Sequence, residues 1–307
     1  MKKDLLSLND YSEKEILDIL ELAHKLKKET KEGKEHHILK GKTLGMIFSK
    51  SSTRTRVSFE VGMYQLGGYP LFLSSNDIQL GRGECIEDTA RVLSRYLDGI
   101  MIRTYDQTEV EMLAKYADIP IINGLTDLLH PCQVLADLMT IQEKKGALKG
   151  LKMCYIGDGN NMANTLLHGC AKVGMDISVA TPAGYECDAE MVAEAMEAAK
   201  ISGAKIEILT DPKAAIANAD AVYSDTWVSM GQEEEKQKRI NDFKGFTIDD
   251  TLMSYAKGDA IFLHCLPAYR GYEVTNEVIE GPHSVIFDEA ENRLHAQKAV
   301  MVTLMKD

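Results

Sequence analysis

Residues 44–56 read Leu-Gly-Met-Ile-Phe-Ser-Lys-Ser-Ser-Thr-Arg-Thr-Arg, and this stretch indicates how the first part of the chain folds. Leu44 to Phe48 is a short apolar run that is typical of a buried strand. Beyond the stretch, apolar side chains approximate helical spacing, at Val57, Val61, Tyr64 and Leu66. A strand that passes through a polar turn into a helix is the building unit of an α/β sheet.

The turn itself, Ser52 to Arg56, offers three hydroxyl groups and two guanidinium groups at the start of the predicted helix. Unpaired backbone N–H groups and the positive end of the helix dipole favour an anion there. The planar fork of arginine fits phosphate oxygens better than the point charge of a lysine does. A plainer interpretation is an N-capping Ser or Thr followed by solvated arginines. Two arginines that alternate with hydroxyls favour a phosphate site.

Length and charge limit the kind of protein this is. With 307 residues the chain is long for one hydrophobic core, so we expect two domains. A net charge of −12 makes it a poor candidate for binding nucleic acid or an anionic membrane, and the Ser52–Arg56 turn is therefore a local pocket. Six scattered cysteines, no apolar run of about 20 residues and no signal-peptide core predict a reduced, cytoplasmic protein.

Strand and helix patterns alternate in the first part of the chain. An amphipathic helix over 11–28, with Ser12 and Glu15 at the spacing of a capping box, comes first. The predicted strands that follow lie at 44–48, 70–73, 99–103 and 119–123, and further helices at 86–97 and 133–144. This alternation predicts a parallel sheet covered by helices.

A second alternating series begins after Gly146. Its predicted strands lie at 151–156, 177–180, 206–209, 221–224 and 260–263, and its helices at 163–173, 189–202 and 212–218. The pattern indicates an open, doubly wound sheet, whose ligands bind beyond the carboxyl ends of the strands. The tail, 289–305, is predicted to be a packing helix. We expect one domain of residues 1–134 plus 290–307, a second of 148–285, and a linking helix at 135–147.

Glycines and asparagines follow the first strand of the second series, at Gly157-Asp158-Gly159-Asn160-Asn161. A dinucleotide fingerprint would occupy this place, but its third glycine and the later acidic residue are missing. The stretch is therefore a poor NAD site. It is either a tight glycine turn or a place where an asparagine side chain binds a polar substrate.

Two His/Cys pairs also follow predicted strands, at His130-Pro131-Cys132-Gln133 and His264-Cys265-Leu266-Pro267. Neither has the spacing of a zinc site, so we expect no metal. His130 and Cys265 are either structural residues or strand-end residues that face a shared site, and their pattern alone leaves both open.

The only tryptophan stands in Asp225-Thr226-Trp227-Val228-Ser229-Met230-Gly231, after another predicted strand. Asp225 could bind an ammonium group, and the polar residues after Gly231 could form a mobile lid. A solvated loop is the alternative.

Together these motifs resemble those of the ornithine carbamoyltransferases over almost the whole chain. Ser-Thr-Arg-Thr-Arg and His-Pro-x-Gln are shared with the wider carbamoyltransferase family. Asp225-x-Trp-x-Ser-Met-Gly and the His-Cys-Leu-Pro at His264 mark the ornithine branch, because the aspartate branch has a sequence of the type His-Pro-Leu-Pro there.

The resemblance implies a role for each matching residue. Its carbamoyl-phosphate set is Ser52, Thr53, Arg54, Thr55, Arg103, His130, Gln133, Cys265, Leu266 and Arg293, and its ornithine set is Asn161, Asp225, Ser229 and Met230. Of these, Arg103, His130, Cys265 and Asp225 match catalytic positions. The implied reaction is attack by the ornithine δ-amine on carbamoyl phosphate, giving citrulline and phosphate without a cofactor.

The resemblance also implies an architecture. It is a carbamoyl-phosphate-binding domain and a Rossmann-like ornithine-binding domain, each a mainly parallel sheet flanked by helices, with the active site in the cleft between them. Three subunits would assemble, and a loop from the neighbouring subunit, matched by residues 76–84, would reach each site. Some relatives have His where this chain has Gln79, so the contact at that position departs from the pattern.

Overall fold

A computed structural model of the chain describes residues 3–229 and 233–306. Its strands, in chain order, are β1 (Thr43–Phe48), β2 (Tyr69–Ser74), β3 (Gly99–Arg103), β4 (Ile121–Leu125), β5 (Lys152–Ile156), β6 (Asp176–Ala180), β7 (Ile206–Leu209), β8 (Ala221–Tyr223) and β9 (Ile261–Leu263). Its α-helices are α1 (Glu13–Lys31), α2 (Thr53–Gln65), α3 (Ile86–Leu93), α4 (Gln107–Tyr116), α5 (Pro131–Lys145), α6 (Asn161–Val173), α7 (Ala189–Ser202), α8 (Pro212–Ile216), α9 (Lys236–Asp242), α10 (Asp250–Met253), α11 (Asn276–Ile279) and α12 (Ile286–Met305).

The chain forms two compact units. The first unit contains the described residues up to Met139 and those from Glu291 onward, and the second is Thr140–Ala290. Each unit contains one parallel sheet with helices around it, which confirms the predicted fold class. Among the described helices, none is both long and apolar enough to cross a bilayer.

The sheet of the first unit has the strand order β2-β1-β3-β4. The strand order reverses between β1 and β3, and Phe48 at the end of β1 pairs with Arg103 at the end of β3. Segments that leave β1 and β3 therefore start side by side at one edge of the sheet. Ligands of open α/β sheets bind at such a switch point.

The sheet of the second unit has the order β7-β6-β5-β8-β9. Here the order reverses between β5 and β8. Tyr155 pairs with Tyr223, and Tyr223 pairs with Leu263, so β5, β8 and β9 end at nearly the same level. The segments that follow these three strands consequently begin next to one another.

Each sheet buries its own apolar core. In the first unit Ile47, Ile100 and Leu113 are fully buried, and in the second Trp227 is stacked on Phe243 with ring centroids 5.2 Å apart. Fully burying a large apolar side chain contributes about 1.5–3 kcal/mol to folding, so these clusters stabilise the sheets and the strand ends that carry the polar segments. The burial of Trp227 makes it a core residue.

Helix α2 forms where the sequence predicts a helix, but it faces a different way from its apolar spacing. Val57, Val61 and Tyr64 are exposed by 51%, 38% and 76%. The fourth residue of the predicted face, Leu66, is buried, as are Phe59 and Met63. Gly62 lies on the side of α2 that faces α12, where a Cβ would lie 3.1 Å from Lys298 Cγ and from Met301 Cε. The lack of a side chain lets α2 pack closely against α12.

The ends and the number of the helices agree only in part with the prediction. The predicted capping box at Ser12 and Glu15 is confirmed, since each residue's side chain binds the backbone N–H of the other. Helix α3 ends at Leu93, earlier than the predicted residue 97. Helix α4 was not predicted, although Asp106 caps it and Val110 and Leu113 form its buried face.

Candidate active site

The Ser52–Arg56 turn forms the start of α2. Ser52 is the N-cap, and its Oγ accepts a hydrogen bond from the backbone N–H of Thr55 at 3.2 Å. Thr53 and Arg54 are exposed on the same turn, whereas Thr55 points inward and is buried. The N-cap interpretation and an anion site are therefore compatible, because capping by Ser52 leaves two side chains on the outer surface of the turn.

The two arginines of this turn differ in their surroundings. Arg56 donates from Nε to Glu60 Oε1 at 3.0 Å, and its guanidinium lies 3.7 Å above the ring of Phe72. Arg54 is exposed at the helix start. Arg54 is thus the better candidate for an incoming phosphate, and Arg56 stabilises the surface of the unit.

Arg293 connects three helices of the first unit. From α12, its Nη1 donates to Gln133 Oε1 of α5 at 2.5 Å, and its Nη2 donates to Thr55 Oγ1 of α2 at 3.0 Å. Gln133 is oriented further because its Nε2 donates to Asp137 at 2.8 Å. All four side chains are buried, so this network is rigid.

His130 and Arg103 complete the first polar cluster. Arg103 is the last residue of β3, and His130 immediately precedes α5. Burial, together with the positive charges of Arg293 and Arg103, holds the pKa of His130 well below its usual range. The imidazole is therefore neutral at pH 7, and it can offer a single N–H to an oxygen atom without carrying charge.

The structure thus brings Thr55, Gln133 and Arg293 into direct contact, with the charges of Arg103 and Arg293 acting on His130. Positive charge and neutral donors are combined in one cluster. This combination suits a small anion that also carries a polar carbonyl group.

The second polar cluster is centred on Asp225, which follows β8. Its Oδ1 accepts from the Cys265 thiol at 3.1 Å and from the Thr226 N–H at 2.7 Å. Its Oδ2 accepts from Asn160 Nδ2 at 2.8 Å. Asn160, Asp225 and Cys265 follow β5, β8 and β9 respectively, so the register of the sheet explains why they meet.

The contact of Asn160 with Asp225 was not predicted from the sequence, which had suggested the neighbouring Asn161 as a site residue. Asn160 caps α6 by accepting from the N–H groups of Met162 and Ala163, and its amide nitrogen is left to reach Asp225. Asn161 is the first residue of the helix and is partly buried. An asparagine directly before a helix is a recognisable capping signal, which could have identified Asn160.

The glycine turn before Asn160 is shaped by a close backbone contact. A Cβ on Gly159 would lie 2.3 Å from the backbone nitrogen of Cys187, which no side chain tolerates. This contact accounts for the glycine without any nucleotide.

The segment after β9 places Cys265 and Leu266. Leu266 has a left-handed backbone with a φ of 57°, and its N–H donates to His264 Nδ1 at 2.9 Å. Ser229 is partly buried at the end of a described segment, and the predicted residue Met230 lies outside the described residues. Gln79 begins a short 3-10 turn on the first unit and is exposed.

Asp225, His264 and Cys265 have ligand atoms within 4.8 Å of one another, a distance that a metal ion could bridge. The Nδ1 lone pair of His264, however, already accepts the N–H of Leu266, and its Nε2 lies 3.3 Å from Glu273. Because both ring nitrogens have protein partners, His264 is poorly suited to be a metal ligand.

Two family models match the chain and leave few residues unmatched. Residues 3–143 match the carbamoyl-P binding domain of aspartate/ornithine carbamoyltransferases, and residues 149–304 match their Asp/Orn binding domain. The chain belongs to the aspartate/ornithine carbamoyltransferase family. These matches confirm the family resemblance of the sequence motifs.

Several members of this family are close relatives. The ornithine carbamoyltransferase of Caldicellulosiruptor saccharolyticus is 63% identical over 98% of this chain and 97% of its own length. That of Carboxydothermus hydrogenoformans is 58% identical over 99% and 97%. The solved structure of ornithine carbamoyltransferase from Pyrococcus furiosus has a TM-score of 0.96, with 56% identity over 99% of this chain and 97% of that one.

Proposed function

We propose that this protein transfers the carbamoyl group of carbamoyl phosphate to the δ-amine of L-ornithine, giving L-citrulline and phosphate. The full-length relatives named ornithine carbamoyltransferase support this activity. Within the structure, the observation that carries the proposal is the hydrogen-bonded set of Asn160, Asp225 and Cys265. A buried carboxylate attracts the α-ammonium group of an amino acid and disfavours a further carboxylate beside it, so the cluster suits ornithine, whose side chain has no carboxylate, better than aspartate.

Carbamoyl phosphate binds to the first polar cluster in this proposal. Its phosphate is held by Ser52, Thr53, Arg54 and Thr55 at the positive end of α2, a 13-residue helix. Arg293 supplies a buried positive charge behind Thr55. Cys265 and Leu266 are also assigned to carbamoyl phosphate, as residues at the junction of the two substrates.

Arg103, His130 and Thr55 surround the carbonyl oxygen and stabilise the negative charge that develops on it. One such donor is typically worth about 3 kcal/mol in the transition state. The depressed pKa of His130 suits this task, because a neutral imidazole donates its N–H without being a strong acid. Gln133 Oε1 already accepts from Arg293, and its second lone pair can accept the carbamoyl NH₂.

Ornithine binds to the second polar cluster, with Asn161, Asp225, Ser229 and Met230 in contact with the amino acid. The δ-amine must react in its neutral form, and since an alkyl ammonium has a pKa near about 10, desolvation has to lower it. The amine nitrogen then forms a bond to the carbonyl carbon, and the bond from that carbon to the phosphate oxygen breaks. Phosphate leaves with the electron pair and accepts the proton of the amine.

Cys265 orients the amine in this mechanism and makes no covalent bond, and Asp225 holds the amino-acid head group. No step requires a metal or an organic cofactor. Much of the remaining rate comes from holding the two reactants in place.

The test is to incubate the purified protein with carbamoyl phosphate and to measure citrulline and phosphate with and without ornithine. Ornithine-dependent citrulline formation is expected. Folded protein that forms no citrulline would refute the proposal. Preferential carbamoylation of putrescine, which lacks the carboxylate and α-amine, would instead assign another amine substrate to the second cluster.

We further propose a homotrimer whose active sites receive the loop at Gln79 from a neighbouring subunit. The exposed apolar row of Val57, Val61 and Tyr64 on α2 supports a protein contact there, and Tyr69 on the edge strand β2 is exposed as well. Exposed apolar patches of this kind mark interfaces. Light scattering should give about three times 34.1 kDa, and Val61→Asp should lower this mass.

A cytoplasmic location is proposed as well. All six cysteines are free thiols, as is usual where the surroundings are reducing. Fractionation of the native cells, followed by immunodetection, tests it.

A further inference from the structure

Two buried carboxylates lie directly behind the Cys265 segment, outside the set of residues assigned above. Glu273 and Glu289 each have 0% of their surface exposed. Burying a carboxylate costs several kcal/mol unless hydrogen bonds compensate. The groups that bind these two carboxylates therefore indicate what they are for.

Glu273 binds the side chain of His264. Its Oε1 lies 3.3 Å from His264 Nε2 and also accepts the backbone N–H of Tyr269 at 2.5 Å. On the other side of the ring, Nδ1 accepts the N–H of Leu266 and so carries no proton. In a neutral imidazole the proton must then be on Nε2, where it is donated to Glu273.

Glu289 binds the backbone of the same histidine. Its Oε2 accepts the His264 N–H at 2.8 Å, and its Oε1 accepts from the hydroxyl of Tyr223 at 3.1 Å. Tyr223 is the last residue of β8, two positions before Asp225. Glu289 thus ties the end of β9 to the end of β8 at the level of the second polar cluster.

The backbone of Leu266 needs this support. A left-handed backbone is strained for leucine, because its Cβ crowds the following carbonyl oxygen, and the bond to His264 Nδ1 helps to offset that strain. Cys265 lies between these two residues, and its thiol keeps within 3.1 Å of Asp225 only while the turn holds its shape. If Nδ1 were protonated, it would repel the Leu266 N–H.

We propose that Glu273 and Glu289 are positioning residues for the amino-acid half of the reaction. Glu273 selects the tautomer of His264 that holds Leu266, and Glu289 fixes the His264 backbone, so that together they keep the Cys265 thiol on Asp225. This inference rests on the proposed carbamoyl transfer to ornithine.

The test compares Glu273→Leu with Glu273→Gln and with Asp220→Asn as a control. The Glu273→Gln side chain retains a carbonyl oxygen that can accept both hydrogen bonds of Oε1, and its NH₂ replaces Oε2, which has no hydrogen-bond partner among the described residues. Asp220 is likewise a buried carboxylate of the second unit that accepts a backbone N–H, from Lys152, but it lies at the opposite ends of the strands. Each variant is assayed with both substrates varied, and its unfolding is measured.

We expect Glu273→Leu to lower kcat/KM for ornithine by about 10- to 100-fold, as is typical when a reacting group is misplaced by about an ångström. KM for carbamoyl phosphate should change less than KM for ornithine, because apart from Cys265 and Leu266 its proposed contacts lie in the first polar cluster. Glu273→Gln should restore most of the ornithine activity. Asp220→Asn should destabilise the protein and leave both substrate dependences unchanged. Equal losses for the two substrates, or no recovery with Glu273→Gln, would overturn the proposal.

A measurement on the unchanged protein does not depend on how the variants fold. Histidine ¹⁵N NMR should show His264 protonated on Nε2 and unprotonated on Nδ1. The opposite tautomer would refute the proposal even if citrulline is formed. If the parent protein forms no citrulline but has the expected tautomer, the proposed function fails while the geometric argument stands.

Discussion

Replacing Thr55 by valine removes one hydroxyl group from the centre of the first polar cluster and keeps the shape of the side chain. The hydroxyl accepts a hydrogen bond from Arg293 at 3.0 Å, and the two residues are exposed by only 1% and 4%. A hydrogen bond to a charged group contributes about 1.5–3 kcal/mol to stability. We therefore expect the free energy of unfolding to fall by an amount in this range.

Catalysis should suffer separately from stability. In the proposed mechanism the same hydroxyl donates to the carbonyl oxygen of carbamoyl phosphate, and losing one such donor costs about 3 kcal/mol in the transition state. Since each 1.36 kcal/mol is a factor of ten, kcat should fall by about 100-fold. The assay is citrulline formation at saturating ornithine with carbamoyl phosphate varied.

Thr30→Val is the matched control. Thr30 Oγ1 also accepts from a buried cation of α12, Lys298 Nζ, at the same distance of 3.0 Å, but it belongs to neither polar cluster. It should lower stability to a similar extent and leave kcat unchanged. If Thr55→Val keeps the parental kcat while both variants lose stability, the donor role assigned to Thr55 is wrong.

Three further predictions concern other parts of the chain. Arg54→Ala should raise KM for carbamoyl phosphate at least tenfold, because a charge-assisted contact to the phosphate is lost. Arg56→Ala removes only the contacts to Glu60 and Phe72 and should leave this KM unchanged. Equal effects of the two variants in steady-state assays would contradict the assignment. Cys265→Ala should weaken the ornithine dependence more than the carbamoyl phosphate dependence, and an unchanged KM and kcat for ornithine would argue against its orienting role. Burial lowers the pKa of His168 to about 4, so on acidification the unfolded chain binds a proton at this residue before the folded chain does. The free energy of unfolding should therefore fall by about 3 kcal/mol as the pH drops from 6.5 to 4. In urea titrations at several pH values, His168→Asn should make the free energy of unfolding depend less on pH.

Strand ends were predictable because parallel strands leave a simple pattern. An apolar run followed by polar residues marks both the buried strand and the edge at which ligands bind, and it singles out Asp225 and Cys265. Arg103, at the end of β3, was expected only from the family resemblance. The choice between neighbouring residues of one kind was harder. Arg54 and Arg56 differ only in whether Glu60 and Phe72 are near, and that depends on how α2 is rotated.

The rotation of α2 was not predictable from its own residues. Its apolar spacing indicated a buried face through Val57 and Val61, but these two residues are exposed and the side with Gly62 packs against α12. Local periodicity indicates that a helix has an apolar side, but it does not indicate whether the core of the same chain or another protein chain covers that side. In the same way, the missed role of Asn160 depended on Asp225, which lies 65 residues away in the sequence.

The last helix shows how far such dependence extends. Arg293 reaches Gln133 and Thr55 across 160 and 238 residues of sequence, and Lys298 reaches Thr30 and Gln65 from the same helix. Each of these bonds joins a buried cation to a neutral oxygen, so removing α12 would take away both the positive charge and the packing that orients Thr55. The Ser52–Arg56 turn, the proposed phosphate site, is therefore recognisable locally, but the buried side chains behind it come from the end of the chain. A helix N-terminus and two arginines are enough to attract an anion. In the proposed function, holding a carbonyl group beside that anion also requires Arg293 to fix Thr55 and Gln133.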